Sequence, residues 1–545
     1  MLVEVNNMKP YYVVGHKNPD CDSIVSAIAY AQLKNELGEV AVARAQGNPN
    51  PETKYLLNKY KFKQPPIIYS AKCTLADIEK DEAVLVRSCT TMKDALDLVM
   101  TRKNRGVFVT DAKGHLEGVV SVSDLTQFYT KSEADMSKLI QKASLDNIVH
   151  VLKAKIYHSI EDFHSNGRIH VMPALSDARD TYQDSIVILR NNPDIQRYMI
   201  DAKAALLVIC GEDWIDNVTL QLAKEKKVAI IHTELSVLEC SRVIFQSPSV
   251  SEVETKDVIS FRLNETVEEV SNQLAKTRFR TYPVLNEEGI VVAAISRYHL
   301  FHYEKKKFIL VDHNEESQTV NDIEYGIISE IVDHHRMGGI ETTNPINITS
   351  RVIGSTSTII ASLYGQHQIP IDPNMAGLLL GGIINDTLCL KSPTTTKEDY
   401  QQVEILSKIA GISADELNNE MIEASDSILK KTNLELMYDD FKEFRIGESR
   451  IGIGQSQCKD WKDYFKIRSG FLAYLNEAVI QQKYDLILIL FTDPAGSGSY
   501  FLYTGKKSWV VKEGFADILT NDGYAEGIIS RKKQVLPVIM QTMTQ

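Results

Sequence analysis

Nowhere in its 545 residues does the chain carry a Cys-x-x-Cys pair, and its seven cysteines are scattered and odd in number. That argues against a disulfide framework and fits reduced thiols in a cytosol. Positive charge is also short: 60 Lys and Arg face 72 Asp and Glu, a formal net charge of −12. A general nucleic-acid binder is thereby disfavoured, though a local basic site for a small anion is not. Long hydrophobic runs are missing. The longest, such as Leu486–Phe491 and Ala376–Ile384, fall far short of the roughly 18 residues of a membrane span. The start, Met1–Asn7, lacks a basic segment followed by an apolar one, so no signal peptide is expected and a cytoplasmic location is. What remains is an ordinary soluble composition, 43% hydrophobic and 24% charged, long enough for several domains.

Tyr11–Val14 is a short apolar run ending at Gly15, and Ser23–Leu37 has helical apolar spacing. The order strand, polar loop, helix predicts an α/β unit with its chemistry at the carboxyl end of a strand. Lys307–Val311 before Asp312, and Gly326–Val332 before Asp333, repeat the pattern. Convergence of strand ends would bring residues distant in sequence together. The stretch from Asp22 to Asp312 is too long for a loop and must contain inserted domains.

Two parts of that stretch match each other. Leu85-Val86-Arg87, a helical pattern over Thr91–Met100, Arg105–Val109 and Gly118–Leu125 form the first; Ser260-Phe261-Arg262, Val267–Leu274, Arg280–Val284 and Val291–Leu300 form the second. Both read β-α-β-β-α, an internal repeat. They resemble CBS domains, which pair into units that bind adenine nucleotides. The resemblance implies effector contacts at Ser121, Asp124, Arg280, Tyr282 and Ser296, with His299 standing where the second copy should carry Asp. Tyr282 in Thr-Tyr-Pro-Val reads equally as core packing, and Asp124 as an ordinary helix cap. Between the copies, Asn192-Pro193-Asp194-Ile195-Gln196 and Ile231-His232-Thr233-Glu234 resemble a DRTGG domain, although the five-letter signature itself is absent.

The chemistry lies in four short motifs. Gly15-His16-Lys17-Asn18-Pro19-Asp20-Cys21-Asp22-Ser23 comes first, then Val311-Asp312-His313-Asn314, Asp333-His334-His335 and Asn385-Asp386-Thr387. Taken singly, each of these aspartates and histidines reads equally as a cap or loop residue. Taken together, several carboxylates at strand ends would repel one another without a cation. Asp20, Asp22, Asp312 and Asp386 with His16 and His334 can hold two divalent metals side by side, a device for phosphoester or phosphoanhydride hydrolysis. Mixed nitrogen and oxygen donors suit Mn²⁺, Co²⁺ or Zn²⁺ better than Mg²⁺ alone. Near the end, Ser530-Arg531-Lys532-Lys533-Gln534 reads as an anion-binding run beside an acidic metal site.

Together these motifs resemble the family II inorganic pyrophosphatases of the DHH phosphoesterase superfamily, in their CBS-containing branch. The resemblance implies an α/β fold: a two-lobed DHH/DHHA2 core interrupted by two CBS modules flanking a DRTGG-like domain. The expected boundaries are 1–65 and 307–405 for the DHH domain, 66–130 and 250–306 for the CBS modules, 131–249 for the DRTGG-like domain and 406–545 for the DHHA2 lobe. His16, Asp20 and Asp312 would hold one metal, and Asp22, Asp312, His334 and Asp386 the other. A hydroxide bridging Mn²⁺ or Co²⁺ would attack diphosphate, with Mg²⁺ arriving on the substrate. His335 would be a candidate general acid, and Asp333 would orient an imidazole. Lys442, Arg531 and Lys532 would hold the phosphates, and Ser355 and Thr356 would support the site or simply start a helix. AMP, ADP, ATP or diadenosine polyphosphates would regulate a homodimer, with no nucleic acid and no membrane involved. Two rivals stay open: a DHH phosphodiesterase acting on cyclic dinucleotides or short oligonucleotides, and a nucleotide-sensing protein with a dead hydrolase scaffold.

Overall fold

The computed structural model describes residues 9–102, 105–126, 130–173, 181–425, 427–493 and 497–544; the stretch Met1–Asn7 lies outside them. Two compact units divide the chain, Met1–Lys72 with Lys305–Gln545, and Cys73–Glu304. The sequence boundaries fell at 65/66 and 306/307. The difference is physical: Ala71 N–H donates to the Asn321 carbonyl (2.9 Å) and Ser70 Oγ to Asp322 Oδ2 (2.7 Å). These bonds keep residues 66–72 in the first unit.

The first unit opens with β1 (Tyr11–Val14), α1 (Cys21–Glu36) and β2 (Ala41–Arg44). It resumes with β3 (Lys307–Val311), β4 (Ile327–Asp333), β5 (Asn347–Ser350), α2 (Thr356–Gln366) and α3 (Pro373–Asp386). The strands form a parallel sheet in the order β5-β4-β3-β1-β2. All of its carboxyl ends therefore face one way, where open α/β sheets place their sites. The helix α1 starts two residues earlier than its apolar spacing suggested. Asp20 takes the cap position and accepts from Ser23 N–H, which draws Asp22 into the first turn. Buried residues of α1, α2 and α3 share one core with β1 and β3, including Ile24, Val25, Ile359, Leu379 and Ile383. Each such side chain removed from water contributes about 1.5–3 kcal/mol.

The α/β core of this lobe extends further than the expected limit at 405. Leu406, Leu417 and Met421, on helices Lys397–Ala410 and Ala414–Ala424, lie inside it. The second lobe follows. Its sheet runs β6 (Phe441–Ile446), β7 (Ser449–Gln457), β8 (Leu486–Thr492), β9 (Gly498–Thr504) and β10 (Tyr524–Glu526), in sequence order. Central β8 is buried throughout. Ile487, Ile489 and Phe491 enter one core and Leu486, Leu488 and Leu490 the other, the alternation that a strand covered on both faces requires.

The inserted unit contains the repeat in the expected order. Strands Leu85–Val86, Gly106–Thr110 and Leu116–Ser121 form one small sheet, and Phe261–Arg262, Tyr282–Leu285 and Val291–Ile295 the other. Between them in sequence lies a mixed sheet in the order Lys155–His158, Ala229–Thr233, Leu206–Cys210, Ile186–Arg190, Ile169–Val171. Only its Lys155–His158 edge is antiparallel.

Candidate metal centre

The loop leaving β1 is fixed by close packing on α1. A side chain on Gly15 would run into the Ser23 hydroxyl, and His16 N–H donates to that hydroxyl at 2.9 Å. His16 thereby points Nε2 at Asp20 Oδ2 (3.3 Å) and Asp312 Oδ2 (3.5 Å). Asp312 leaves β3 with φ +61, a left-handed conformation that costs a non-glycine residue about 1–2 kcal/mol. Its N–H donates to the Val332 carbonyl on β4 (3.0 Å), which offsets that strain. His334 Nε2 lies 3.5 Å from Asp312 Oδ1 and 3.3 Å from Asp386 Oδ2. Donor atoms of His16, Asp20 and Asp312 lie within 4.8 Å of one another, as do those of Asp22, His334 and Asp386. All six residues of the sequence-derived set are thus brought together, with Asp312 beside both histidines.

Helix α2 holds this arrangement from below. Its N-terminal Thr356 and Ser357 N–H groups donate to Asp22 at 2.7 and 3.0 Å, and Thr356 Oγ1 donates to Asp312 at 3.0 Å. A carboxylate at a helix N-terminus meets free N–H donors and a favourable dipole. Ser355 caps the same helix through the Ser357 N–H (3.0 Å), so the Ser355–Thr356 turn both starts a helix and supports the site. Gly382 on α3 leaves room for Ser357, since any side chain there would meet the Ser357 hydroxyl.

Buried donors without partners point to a cation. His16 Nε2 and Asp312 Oδ2 lack hydrogen-bond partners although both residues are almost fully enclosed. Burial raises Asp22 to about 6, and burial with the neighbouring Asp22 and Asp20 carboxylates pushes Asp312 and Asp386 well above the usual range. Burial pushes His334 down to about 3, with help from Lys532. Two imidazoles and four crowded carboxylates form a donor set that fits Mn²⁺ or Co²⁺.

A pH dependence follows. A carboxyl group raised in the folded state gives the metal-free fold a stability contribution that is complete below its ordinary value of 3.8 and lost as pH rises through about 6. A metal must displace that proton, so its affinity climbs over the same window. Asp312 and Asp386, shifted in the same direction, extend the climb upward. Chelator competition with Co²⁺ at pH about 5 and about 7.5 should give at least ~10-fold tighter binding at the higher value.

Around the histidines, Asp333 Oδ1 accepts from His335 Nδ1 (2.8 Å) and from the His334 and His335 N–H groups. Asp333 therefore orients His335, while His334 is oriented through Nδ1 by the Ile353 carbonyl (3.0 Å). Asn314 ties Asp333 in turn. His335 Nε2 faces Lys442 Nζ at 2.9 Å. Burial and the Lys442 cation drive the His335 imidazole well below its ordinary value. With Nδ1 on the Asp333 carboxylate, Nε2 is left as the nitrogen that faces Lys442. Lys532 Nζ donates to the His334 carbonyl (3.1 Å). Arg531 is held by Asp440, its guanidinium on the carboxylate (3.0 Å) and carbonyl. Sequence reasoning missed Ser357, Asn314 and the Ile353 carbonyl. The run Gly354-Ser355-Thr356-Ser357-Thr358 was the available signal for the first.

In the inserted unit, Ser121 and Asp124 cap one another, with Ser121 Oγ donating to Asp124 Oδ2 at 2.6 Å. His299 does the same work for Ser296, whose N–H donates to His299 Nδ1 (3.0 Å). Tyr282 is buried, its hydroxyl bonded to Thr277 and to the Phe279 carbonyl (3.1 Å). Its ring joins the core with Phe261 and also lines a small cavity with Val119, Thr255, Val258 and Phe279. Arg280 is exposed.

Comparison with known proteins identifies the family. Residues 10–383 match the DHH family, N-terminal domain, and residues 419–542 the DHHA2 domain. The cobalt-dependent inorganic pyrophosphatase of Clostridium perfringens is 34% identical over 98% of both chains. The manganese-dependent inorganic pyrophosphatase of Methanothrix thermoacetophila is 39% identical over 43% of this chain and 76% of its own. A crystal structure from Methanococcus jannaschii, assigned to the family II inorganic pyrophosphatases, covers 98% of this chain and 100% of its own, at 22% identity and a TM-score of 0.51, so it shares the fold. With a family model matching most of it and a relative matching along nearly its whole length, the chain belongs to the family II inorganic pyrophosphatases.

Proposed function

We propose that this protein hydrolyses inorganic diphosphate to phosphate on a pair of Mn²⁺ or Co²⁺ ions, and that its inserted unit tunes the rate through adenine nucleotides. The observation that carries the reading is the meeting of the His16/Asp20/Asp312 and Asp22/His334/Asp386 groups around one shared carboxylate. The bound metals supply Lewis acidity and a nucleophilic water at neutral pH. The chain does the rest. Lys442 and Lys532 bring positive charge to the histidine side of the site, where phosphate charge builds up. The Lys442–His335 pair, held by Asp333, offers a proton to the departing phosphate. Arg531 joins the substrate by exchanging its hold on Asp440, and Mg²⁺ enters with diphosphate. In the inserted unit, the Ser121–Asp124 and Ser296–His299 caps and the cavity beside Tyr282 are the proposed contacts for AMP, ADP, ATP or a diadenosine polyphosphate, with exposed Arg280 on the phosphates. The same reading makes the protein a cytoplasmic homodimer. Among the described residues no helix is long and apolar enough to cross a membrane.

Phosphate release from diphosphate with Mg²⁺ and Mn²⁺ or Co²⁺ tests the reading. Release from diphosphate supports it. Opening of a cyclic dinucleotide to its linear form with diphosphate left intact would make the chain a phosphodiesterase, and cleavage of neither would leave a nucleotide sensor on a dead scaffold.

A further inference from the structure

Of the three cations in Arg531-Lys532-Lys533, the last takes no part in the proposal above. Lys533 is exposed, yet its Nζ donates to the Pro393 carbonyl at 2.6 Å. Pro393 closes the turn that leaves Asp386. Three consecutive residues of that turn, Leu388, Cys389 and Leu390, have φ of 49, 51 and 65. Each such non-glycine residue costs about 1–2 kcal/mol, so the turn persists only because its surroundings fix it. Cys389 N–H donates to the Ile384 carbonyl (2.7 Å), Ser392 N–H to the Thr387 carbonyl (2.8 Å) and Leu390 N–H to Thr387 Oγ1 (3.1 Å). Tyr400 OH bonds the Leu390 carbonyl at 3.2 Å. A turn so constrained passes a displacement at Pro393 on to Asp386 instead of absorbing it.

The neighbouring Lys532 holds the carbonyl of His334, and His334 and Asp386 face each other at 3.3 Å. Two adjacent lysines of the second lobe thus bond the carbonyl of one donor of a metal group, His334, and that of Pro393, which ends the turn after another, Asp386. We propose that Lys533 is a positioning residue: its bond to Pro393 fixes the strained turn and with it the Asp386 carboxylate, so that the second lobe controls how firmly the Asp22/His334/Asp386 metal is held. This inference rests on the dinuclear reading above. The bond is a cation on a neutral carbonyl, so it acts through geometry more than through net charge.

The test compares Lys533→Met and Lys533→Arg in the full-length protein. Manganese-loaded protein is mixed with a chelator in the absence of substrate, and the release rate, the melting temperature and the KM and kcat for diphosphate are measured. Lys533→Met should release one ion about ten-fold faster, the scale of losing a supporting contact around a metal. Its melting temperature should barely change, and kcat should fall more than KM rises. Lys533→Arg keeps a donor and should restore slow release. Wild-type release from Lys533→Met, or an arginine variant as impaired as the methionine one, would overturn the proposal. Failure of the wild-type protein to cleave diphosphate would instead sink the functional reading, and the release rates would still decide the role of Lys533.

Discussion

Asp312→Asn should cost at least about a hundred-fold in diphosphate turnover and, at the same time, stabilise the metal-free protein. The two effects have one cause. Asp312 stands between His16 and His334, with a different carboxylate oxygen toward each. Its two oxygens are placed to serve both metal groups. An amide keeps the shape and can still accept from Thr356 Oγ1, but it cannot bring a full charge to two cations. Loss of a mere supporting hydrogen bond around a metal costs about 10–100-fold, and loss of a shared ligand exceeds that. Without metal, however, the Asp312 carboxylate is enclosed beside Asp22, Asp20, Asp386 and Asp333, and burial together with these like charges disfavours its ionised form. The uncharged variant removes this repulsion. In a chelator its melting temperature should rise by about 2 °C, the shift that ~1 kcal/mol gives a domain of this size. Elemental analysis should find fewer than two ions per chain. Near-normal turnover with full metal content, or a metal-free variant that melts lower, would contradict the bridging role.

The two halves of that argument were unequally legible in the sequence. The six donors could be read because each sits in a short polar motif next to an apolar run; strand ends converge in a parallel sheet, and Asp386 joins them from the end of α3. What holds the donors could not. The Ile353 carbonyl that orients His334 has no letter of its own. Ser357 reaches Asp22 only because α2 and α1 pack across a gap of more than three hundred residues, with Gly382 making the space. The left-handed turn at Asp312 and the three such residues after Asp386 belong to backbone geometry, which apolar periodicity does not report. The motif around Arg531 implies a phosphate-holding side chain, but no letter in it shows that Asp440 competes for the guanidinium. In the insert, His299 looked like a broken motif, yet an imidazole nitrogen can accept the Ser296 N–H as a carboxylate would. Tyr282 shows the converse limit. One strand position can bury a ring in the core and line a cavity with the same side chain.

Cutting out Cys73–Glu304 should leave a hydrolase that no longer responds to AMP. The first unit is self-sufficient in packing. Val14, Ala71, Phe308, Leu310, Val320 and Ile331 close one face of its parallel sheet, and the core on the helical face is also built from its own residues. The two ends to be joined already lie side by side, since Lys306 Nζ donates to the Lys72 carbonyl (2.7 Å) and Lys72 Nζ pairs with Asp322 (3.1 Å). The insert's own ends are likewise close, with Cys73 Sγ 3.6 Å from the Glu304 carbonyl. A short glycine-serine linker therefore spans Lys72 to Lys305 at small entropic cost. Turnover without nucleotide should stay within about three-fold of the full-length protein, whereas the full-length response to AMP should show a coupling of about five-fold or more. Loss of the response with activity retained would assign regulation to the insert. A shortened enzyme still sensitive to AMP would move the effector site into the catalytic unit. A folded but inactive one would mean that the insert is needed to build the metal centre and not merely to tune it.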